Sequence, residues 1–171
     1  MYPPESADIL HGTEQQIRAA FAETPYPGDE RVAAYARYGR SIADALRGKH
    51  WTEVELDVLH KHRWEIFLLT PETFRYYAPV FMLAALYHHD EIDSLPDNVL
   101  FSLTPQRDEH VANYFSGEHR DYFSRRAAAF VTEEKAAILA FVEGFAALYP
   151  QHQSIYDIDL LRVTIPFWRR A

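Results

Sequence analysis

The sequence predicts an all-α fold, with residues 1–171 forming one helical domain of six or seven helices around a buried central helix from about Pro71 to His89. Three observations carry that expectation. Apolar residues recur at the 3.6-residue period of an amphipathic helix in several windows. The threonine-proline pairs Thr70-Pro71 and Thr104-Pro105 have the form of helix starts, because a proline at the first helical position gives up only a donor that would be orphaned anyway. The intervening segments are short, and no repeat, low-complexity run or shift in composition divides the chain.

Taken in order, Thr13 and Gln16 have the spacing of a capping box and predict a helix to about Ala22, with Ile17, Ala20 and Phe21 inward. Thr24-Pro25-Tyr26-Pro27-Gly28 stops it, since neither proline can donate a backbone hydrogen bond. Apolar residues at 32, 35, 36, 42, 43 and 46 predict a helix over Arg31 to Arg47. Gly39 is a point of interruption and Gly48 a C-terminal stop. Thr52 and Glu55 form a second candidate capping box, opening a short helix with Val54, Val58 and Leu59 inward and Trp51 as its staple.

Thr70-Pro71-Glu72 is the clearest helix start: threonine caps, proline takes the first turn and glutamate meets the positive helix end. The helix that follows is apolar on nearly every side, which predicts burial, and Pro79 should kink or split it. Between Asp90 and Glu109 stand six acidic residues and one basic residue, Arg107, which predicts an exposed acidic connector around a short buried piece, Val99 to Leu103. Thr104-Pro105 opens a helical face through Val111, Tyr114 and Phe115, and Tyr122, Phe123 and Phe130 lie on the next helix. Thr132 caps an amphipathic helix whose stripe is Ile138, Phe141, Val142, Phe145, Leu148 and Tyr149, with Glu133, Glu134, Lys135 and Glu143 outside it and Pro150 at its end. Leu161 to Phe167 alternates, as an extended edge segment would, although Pro166 excludes a central strand.

The composition excludes several function classes. Seventeen lysines and arginines against 25 aspartates and glutamates give a formal charge of −8, unsuited to gripping nucleic-acid phosphate or anionic lipid. No cysteine is present, so disulfides, thiolate metal clusters and a cysteine nucleophile are absent, which fits a reducing, cytoplasmic setting. The start MYPPESADIL lacks the basic and apolar regions of a signal peptide, and the longest apolar run, Val80 to Tyr87, is far short of the ~20 residues that span a bilayer. No serine sits in a Gly-x-Ser-x-Gly elbow, and neither a phosphate-cradling glycine loop nor a dinucleotide fingerprint occurs.

Phe67-Leu68-Leu69-Thr70-Pro71-Glu72-Thr73-Phe74-Arg75-Tyr76-Tyr77-Ala78-Pro79 resembles the signature of a family of uncharacterised bacterial proteins. In that family a Leu-Ser/Thr-Pro-Glu-x-Phe-x-Tyr-Tyr-x-Pro helix precedes a strongly apolar stretch, here Val80 to Tyr87. Ala45 to Lys49 with Trp51, and Phe130-Val131-Thr132 followed by Ala136, Ala137 and Phe141-Val142, are similar to the same family. The resemblance covers roughly Ala45 to Tyr149. It implies a helical bacterial protein with a domain of unknown function and carries over no catalytic residue. His88-His89-Asp90 and the tail from Ile155 to Trp168 stand outside the pattern.

Several of the nine histidines lie close to carboxylates: Asp57 with His60, His88 with Glu91, His89 with Asp93, Glu109 with His110, and Glu118 with His119. Imidazole and carboxylate on facing helices are the ligands of zinc and di-iron sites, so His60, His88, Asp57 and Glu91 are the candidate metal ligands. Against this, no His-Glu-x-x-His occurs, and histidines at helix ends suit the negative dipole without any metal. Among the aromatics, Tyr76 and Tyr77 belong to the buried helix, whereas Tyr35, Tyr38, Tyr114 and Trp168 are candidates to anchor an interface. Arg125-Arg126 and Arg169-Arg170 read as isolated basic pairs.

The expected function is that of a non-enzymatic protein-binding module, an immunity-type inhibitor or adaptor, with no cofactor. Asp90, Glu91 and Asp93 would steer a basic protein partner, with no role for nucleic acid or membrane. The alternatives are a metal-dependent enzyme or metal-binding protein using the His/carboxylate set, and a structural subunit of a homo-oligomer.

Overall fold

A computed structural model describes residues 4–32, 39–105, 122–152, 154–155 and 158–171. The described chain is all-α apart from one two-residue hairpin. Its helices are α1 (Pro4–Phe21), α2 (Arg40–Leu46), α3 (Leu56–Lys61), α4 (Pro71–Tyr87), α5 (Leu95–Ser102), α6 (Tyr122–Ala129), α7 (Thr132–Leu148) and α8 (Ile165–Trp168). Single 3₁₀ turns at Asp29–Arg31, Trp51–Glu53, Glu65–Leu68 and Pro150–His152 link them. The hairpin pairs β1 (Ser154–Ile155) antiparallel to β2 (Ile158–Asp159).

α4 is the buried centre that the sequence predicts. Thr70 caps it, its hydroxyl oxygen accepting from the Thr73 N–H at 3.2 Å, with Pro71 in the first turn. The helix runs through Pro79 without splitting, although proline leaves the Arg75 carbonyl without its usual donor. It packs against α1, α3, α5 and α6. Thr70 also donates to the Arg31 carbonyl at 2.7 Å, which ties the start of α4 to the end of the first 3₁₀ turn.

The other long pairing is α1 against α7, and it corrects the reading of Thr13. Helix α1 begins at Pro4, nine residues before the supposed cap, with proline and Glu5 supplying the first turn. Thr13 is therefore mid-helix and buried, facing Gly144 of α7. A Cβ at Gly144 would lie 2.7 Å from Thr13 Oγ1 and 3.6 Å from Ile9 Cγ2, so the glycine is what lets the two helices approach this closely.

Three further caps differ from expectation. The box at the Trp51–Glu53 turn starts at His50, whose Nδ1 accepts from the Thr52 N–H at 3.3 Å while Glu53 Oε2 accepts from the His50 N–H at 3.1 Å. The Thr52 and Glu55 pair opens nothing, and α3 begins after Glu55 without a side-chain cap. α7 is preceded by Val131, so Thr132 is its first helical residue, and Glu134 reaches back to accept from the Val131 N–H at 3.0 Å. α2 receives its cap from afar, Glu65 Oε2 accepting from the Ile42 N–H at 3.1 Å. Of the helix expected over Arg31 to Arg47, residues 33–38 lie outside the described residues; α2 follows Gly39, and Gly48, at φ 70°, follows its end. Tyr35 and Tyr38 lie outside the described residues.

Two charged residues are swallowed by the core. Glu134, expected outside the apolar stripe, is buried and takes Arg75 Nε on both oxygens at 2.8 and 3.0 Å and the Thr24 hydroxyl at 2.7 Å. Arg126, read as half of an isolated basic pair, is 1% exposed. Its Nη2 donates to the Ile66 and Leu69 carbonyls at 2.6 and 3.1 Å, and its guanidinium lies 4.0 Å from the centre of the Phe74 ring. Burial among apolar side chains pulls its pKa down.

The tail is the other correction. Leu160–Thr164 form a π-helical turn and Ile165–Trp168 a helix, so the alternation of Leu161 to Phe167 does not describe an extended strand. Trp168 is buried, its indole N–H donating to the Leu103 carbonyl at 2.7 Å, and so does not reach the surface. Asp159 turns the chain from hairpin to helix by accepting from the Leu161 and Arg162 N–H groups.

Candidate functional site

The stretch read as an acidic connector is a tight turn running into a buried helix. α4 stops at His88, whose N–H still reaches the Ala84 carbonyl at 2.9 Å. The Glu91 and Ile92 N–H groups both return to the His88 carbonyl, at 3.0 and 3.1 Å, curling the chain at once. Ser94 adopts φ 58°, a left-handed conformation uncommon outside glycine, and Pro96 starts α5. Ile92 and Leu95 are buried and pin the turn, which leaves Asp90, Glu91 and Asp93 exposed. From Leu95 to Thr104 nearly every residue is buried, so only the first part of the expected connector is exposed among the described residues; Arg107, Asp108 and Glu109 lie outside them.

This turn, the start of α5 and the Pro150–His152 turn enclose a depression of about 330 Å³, lined by His89, Asp90, Glu91, Asp93, Ser94, Pro96, Asp97 and His152. Among the described residues, neither lysine nor arginine lines it. His89 forms its inner wall, stacked on Tyr149 with ring centroids 3.9 Å apart and 13° between planes, with the His152 ring edge-on at 4.9 Å. Asp90 Oδ1 lies 2.8 Å from His89 Nδ1, and Asp97 Oδ1 lies 3.9 Å from His152 Nδ1. Burial pushes the His89 pKa down, partly offset by the Asp90 charge and reinforced by His152. Tyr149, at the end of α7, fixes the wall by donating its hydroxyl to the Leu86 carbonyl.

A model for a family of unknown function, DUF6714, matches residues 11–171. The chain belongs to that family. No match was found among curated proteins or among solved structures. Membership in DUF6714 agrees with the resemblance carried by Leu69 to Pro79, and it extends over the tail that the resemblance left out.

Of the residues singled out in this DUF6714 chain, Asp90, Glu91 and Asp93 are brought together at the depression, joined by Asp97 and His152, which only the tertiary fold adds. The candidate metal ligands are not all gathered. His88 Nδ1 and Glu91 Oε2 pair at 3.1 Å, while His60 and Asp57 stand exposed on α3. Among the described residues no group of three or more histidines, aspartates or glutamates is placed to hold a metal ion. His89 pairs with Asp90, not with the Asp93 suggested by spacing. The pairs Glu109 with His110 and Glu118 with His119, and Tyr114, lie outside the described residues. No helix among the described residues is long and apolar enough to cross a membrane.

A second concavity lies near the same end of α4, between α1, α3 and the Trp51–Glu53 turn, with a volume of about 490 Å³. Sequence reasoning missed it. The signal was Glu14 and Arg18, four apart, which ion-pair at 2.7 Å on a helix face once α1 is known to begin at Pro4.

Proposed function

We propose that this DUF6714 protein is a non-enzymatic, cytoplasmic bacterial protein that captures a basic partner protein through the acidic depression at residues 90–97, as an immunity-type inhibitor or adaptor. One observation carries the reading: among the described residues, four carboxylates, from Asp90, Glu91, Asp93 and Asp97, line a concave surface that no lysine or arginine lines. Asp90, Glu91 and Asp97 have imidazole neighbours, but carboxylates gathered on one face repel one another, and a lysine or arginine side chain from a partner relieves that repulsion. Such a surface raises the association rate of a basic partner and makes binding fall with salt. The sequence, with no nucleophile elbow or phosphate loop, supports binding over catalysis.

The test uses a fluorescent lysine-rich peptide, titrated at 20 and 300 mM salt. Asp90→Lys/Glu91→Lys/Asp93→Lys should weaken binding at low salt by tenfold or more. The control Glu55→Lys/Asp57→Lys/Glu133→Lys changes net charge equally at other exposed positions and should leave most of the affinity. Equal losses in the two variants would reduce the effect to net charge and overturn the assignment.

A further inference from the structure

The 490 Å³ cleft carries an inference of its own, independent of the acidic depression. Its floor is apolar, built from Val54, Leu56, Leu59, Val80, Leu83 and Ala84. Its polar side is formed by Glu14 and Arg18 of α1, Tyr87 of α4 and Trp51. The hydrogen-bonding there is lopsided. Both Glu14 oxygens are taken, Oε1 by Arg18 Nε at 2.7 Å and Oε2 by the Tyr87 hydroxyl. These two bonds, the tyrosine's foremost, hold the Glu14 carboxyl below its ordinary pKa, so it is a filled, charged acceptor.

The donors, by contrast, are not used up. The terminal Nη groups of Arg18 have no hydrogen-bond partner among the described residues, and the guanidinium sits over the Trp51 ring, 5.9 Å from its centroid. Trp51 is 3% exposed, and its indole N–H is buried with no hydrogen-bond partner among the described residues. A buried N–H left unsatisfied destabilises the protein, and native structures rarely tolerate one without a reason. A concave apolar surface edged by spare donors on Arg18 and Trp51 is complementary to an apolar body with an anionic head. One guanidinium beside a fixed carboxylate in a chain of charge −8 suits a single negative charge and disfavours a polyanion.

We infer that this cleft binds a small amphipathic monocarboxylate, its carboxylate on Arg18 and its apolar chain over Leu59, Val80 and Leu83. The volume lies within the usual range for small-molecule sites. At ~30 Å³ per non-hydrogen atom, it holds on the order of 15 such atoms, which matches a medium-chain or aryl-substituted acid. The indole N–H is closed off from solvent in the empty cleft, so the acceptor reaches it when the overlying Arg18 side chain shifts toward the bound carboxylate.

Sodium decanoate, kept below its micellar concentration, is the probe, with decanol and decylamine as neutral and cationic analogues of equal length. Calorimetry should give saturable 1:1 decanoate binding, at least tenfold tighter than either analogue, accompanied by a change in tryptophan emission. Arg18→Gln, at a half-exposed position, should erase the preference for decanoate over decanol. Trp51→Phe should weaken decanoate severalfold and abolish the emission change, while circular dichroism reports retained helix. Absence of saturable decanoate binding, a preference unaltered in Arg18→Gln, or equal affinity for decylamine would each overturn the assignment.

Discussion

Gly144 and Thr13 show how one pair of small residues sets the distance between two long helices. A glycine inside α7 sacrifices about 1 kcal/mol of helix propensity against alanine. The structure gives the reason, since a Cβ there would stand 2.7 Å from Thr13 Oγ1, and the β-branched threonine has little rotational freedom in a helix with which to yield. Gly144→Ala should therefore lower stability by about 1–2 kcal/mol, the overpacking outweighing the propensity gain. Thr13→Ala/Gly144→Ala should recover part of that loss. Urea denaturation of the two variants beside the parent decides it. A Gly144→Ala protein more stable than the parent would mean that the helices separate at little cost. Neither residue's role was legible in the sequence: Thr13 has the spacing of a cap, and only the partner helix reveals it as a packing contact.

Among the elements, α4 shows local chemistry and tertiary packing agreeing. Thr70 satisfies an orphan donor at the helix start and also donates to the Arg31 carbonyl, so one hydroxyl both caps the helix and ties down the preceding turn. Thr70→Ala should cost about 1–2 kcal/mol, and Thr70→Ser should cost much less because serine retains both bonds. Thermal unfolding of the pair measures the difference, and equal melting temperatures for Ala and Ser would show that the cap contributes nothing. α7 obeys its periodicity except at Glu134. Helical spacing leaves that glutamate off the stripe, but Arg75 and Thr24 arrive from distant parts of the chain to satisfy it, which makes burial tolerable. A pattern of apolar positions cannot encode a buried ion pair, because both partners look like surface residues on their own segments. Arg126 is missed for the same reason: carbonyls of the turn before α4 and the face of Phe74 accept its guanidinium.

At the scale of the molecule, His89 in the acidic depression links stability to pH. Its folded-state pKa is depressed, chiefly by burial against Tyr149 and Phe145, with Asp90 opposing and His152 adding to the shift. A neutral imidazole is thus favoured in the fold. The stabilisation is fully present above the unfolded value of about 6.5 and is lost as the pH falls below it, where the unfolded chain takes up the proton more readily. The urea midpoint should decline between pH 7 and pH 5, and His89→Gln should flatten that decline relative to the parent. A decline of equal slope in both proteins would remove His89 as its source. Asp90 and Asp97 lie beside the imidazoles of His89 and His152 respectively.

The sequence by itself determined the helical class, the Thr70-Pro71 start of α4 and its burial, the stop at Gly48 and the apolar stripe of α7. Each is a matter of residues within a turn or two of one another, where capping, glycine conformation and 3.6-residue spacing act without reference to the rest of the chain. Tertiary structure alone decided that α1 begins at Pro4, that the tail coils instead of extending, that Glu134 and Arg126 are buried, and that His152 and Asp97 join Asp90, Glu91 and Asp93 around one depression. Those outcomes depend on groups that meet only when distant segments pack. The free energy of placing a charge, a cap or a donor is set by the neighbours that packing supplies, and a local pattern contains no record of them.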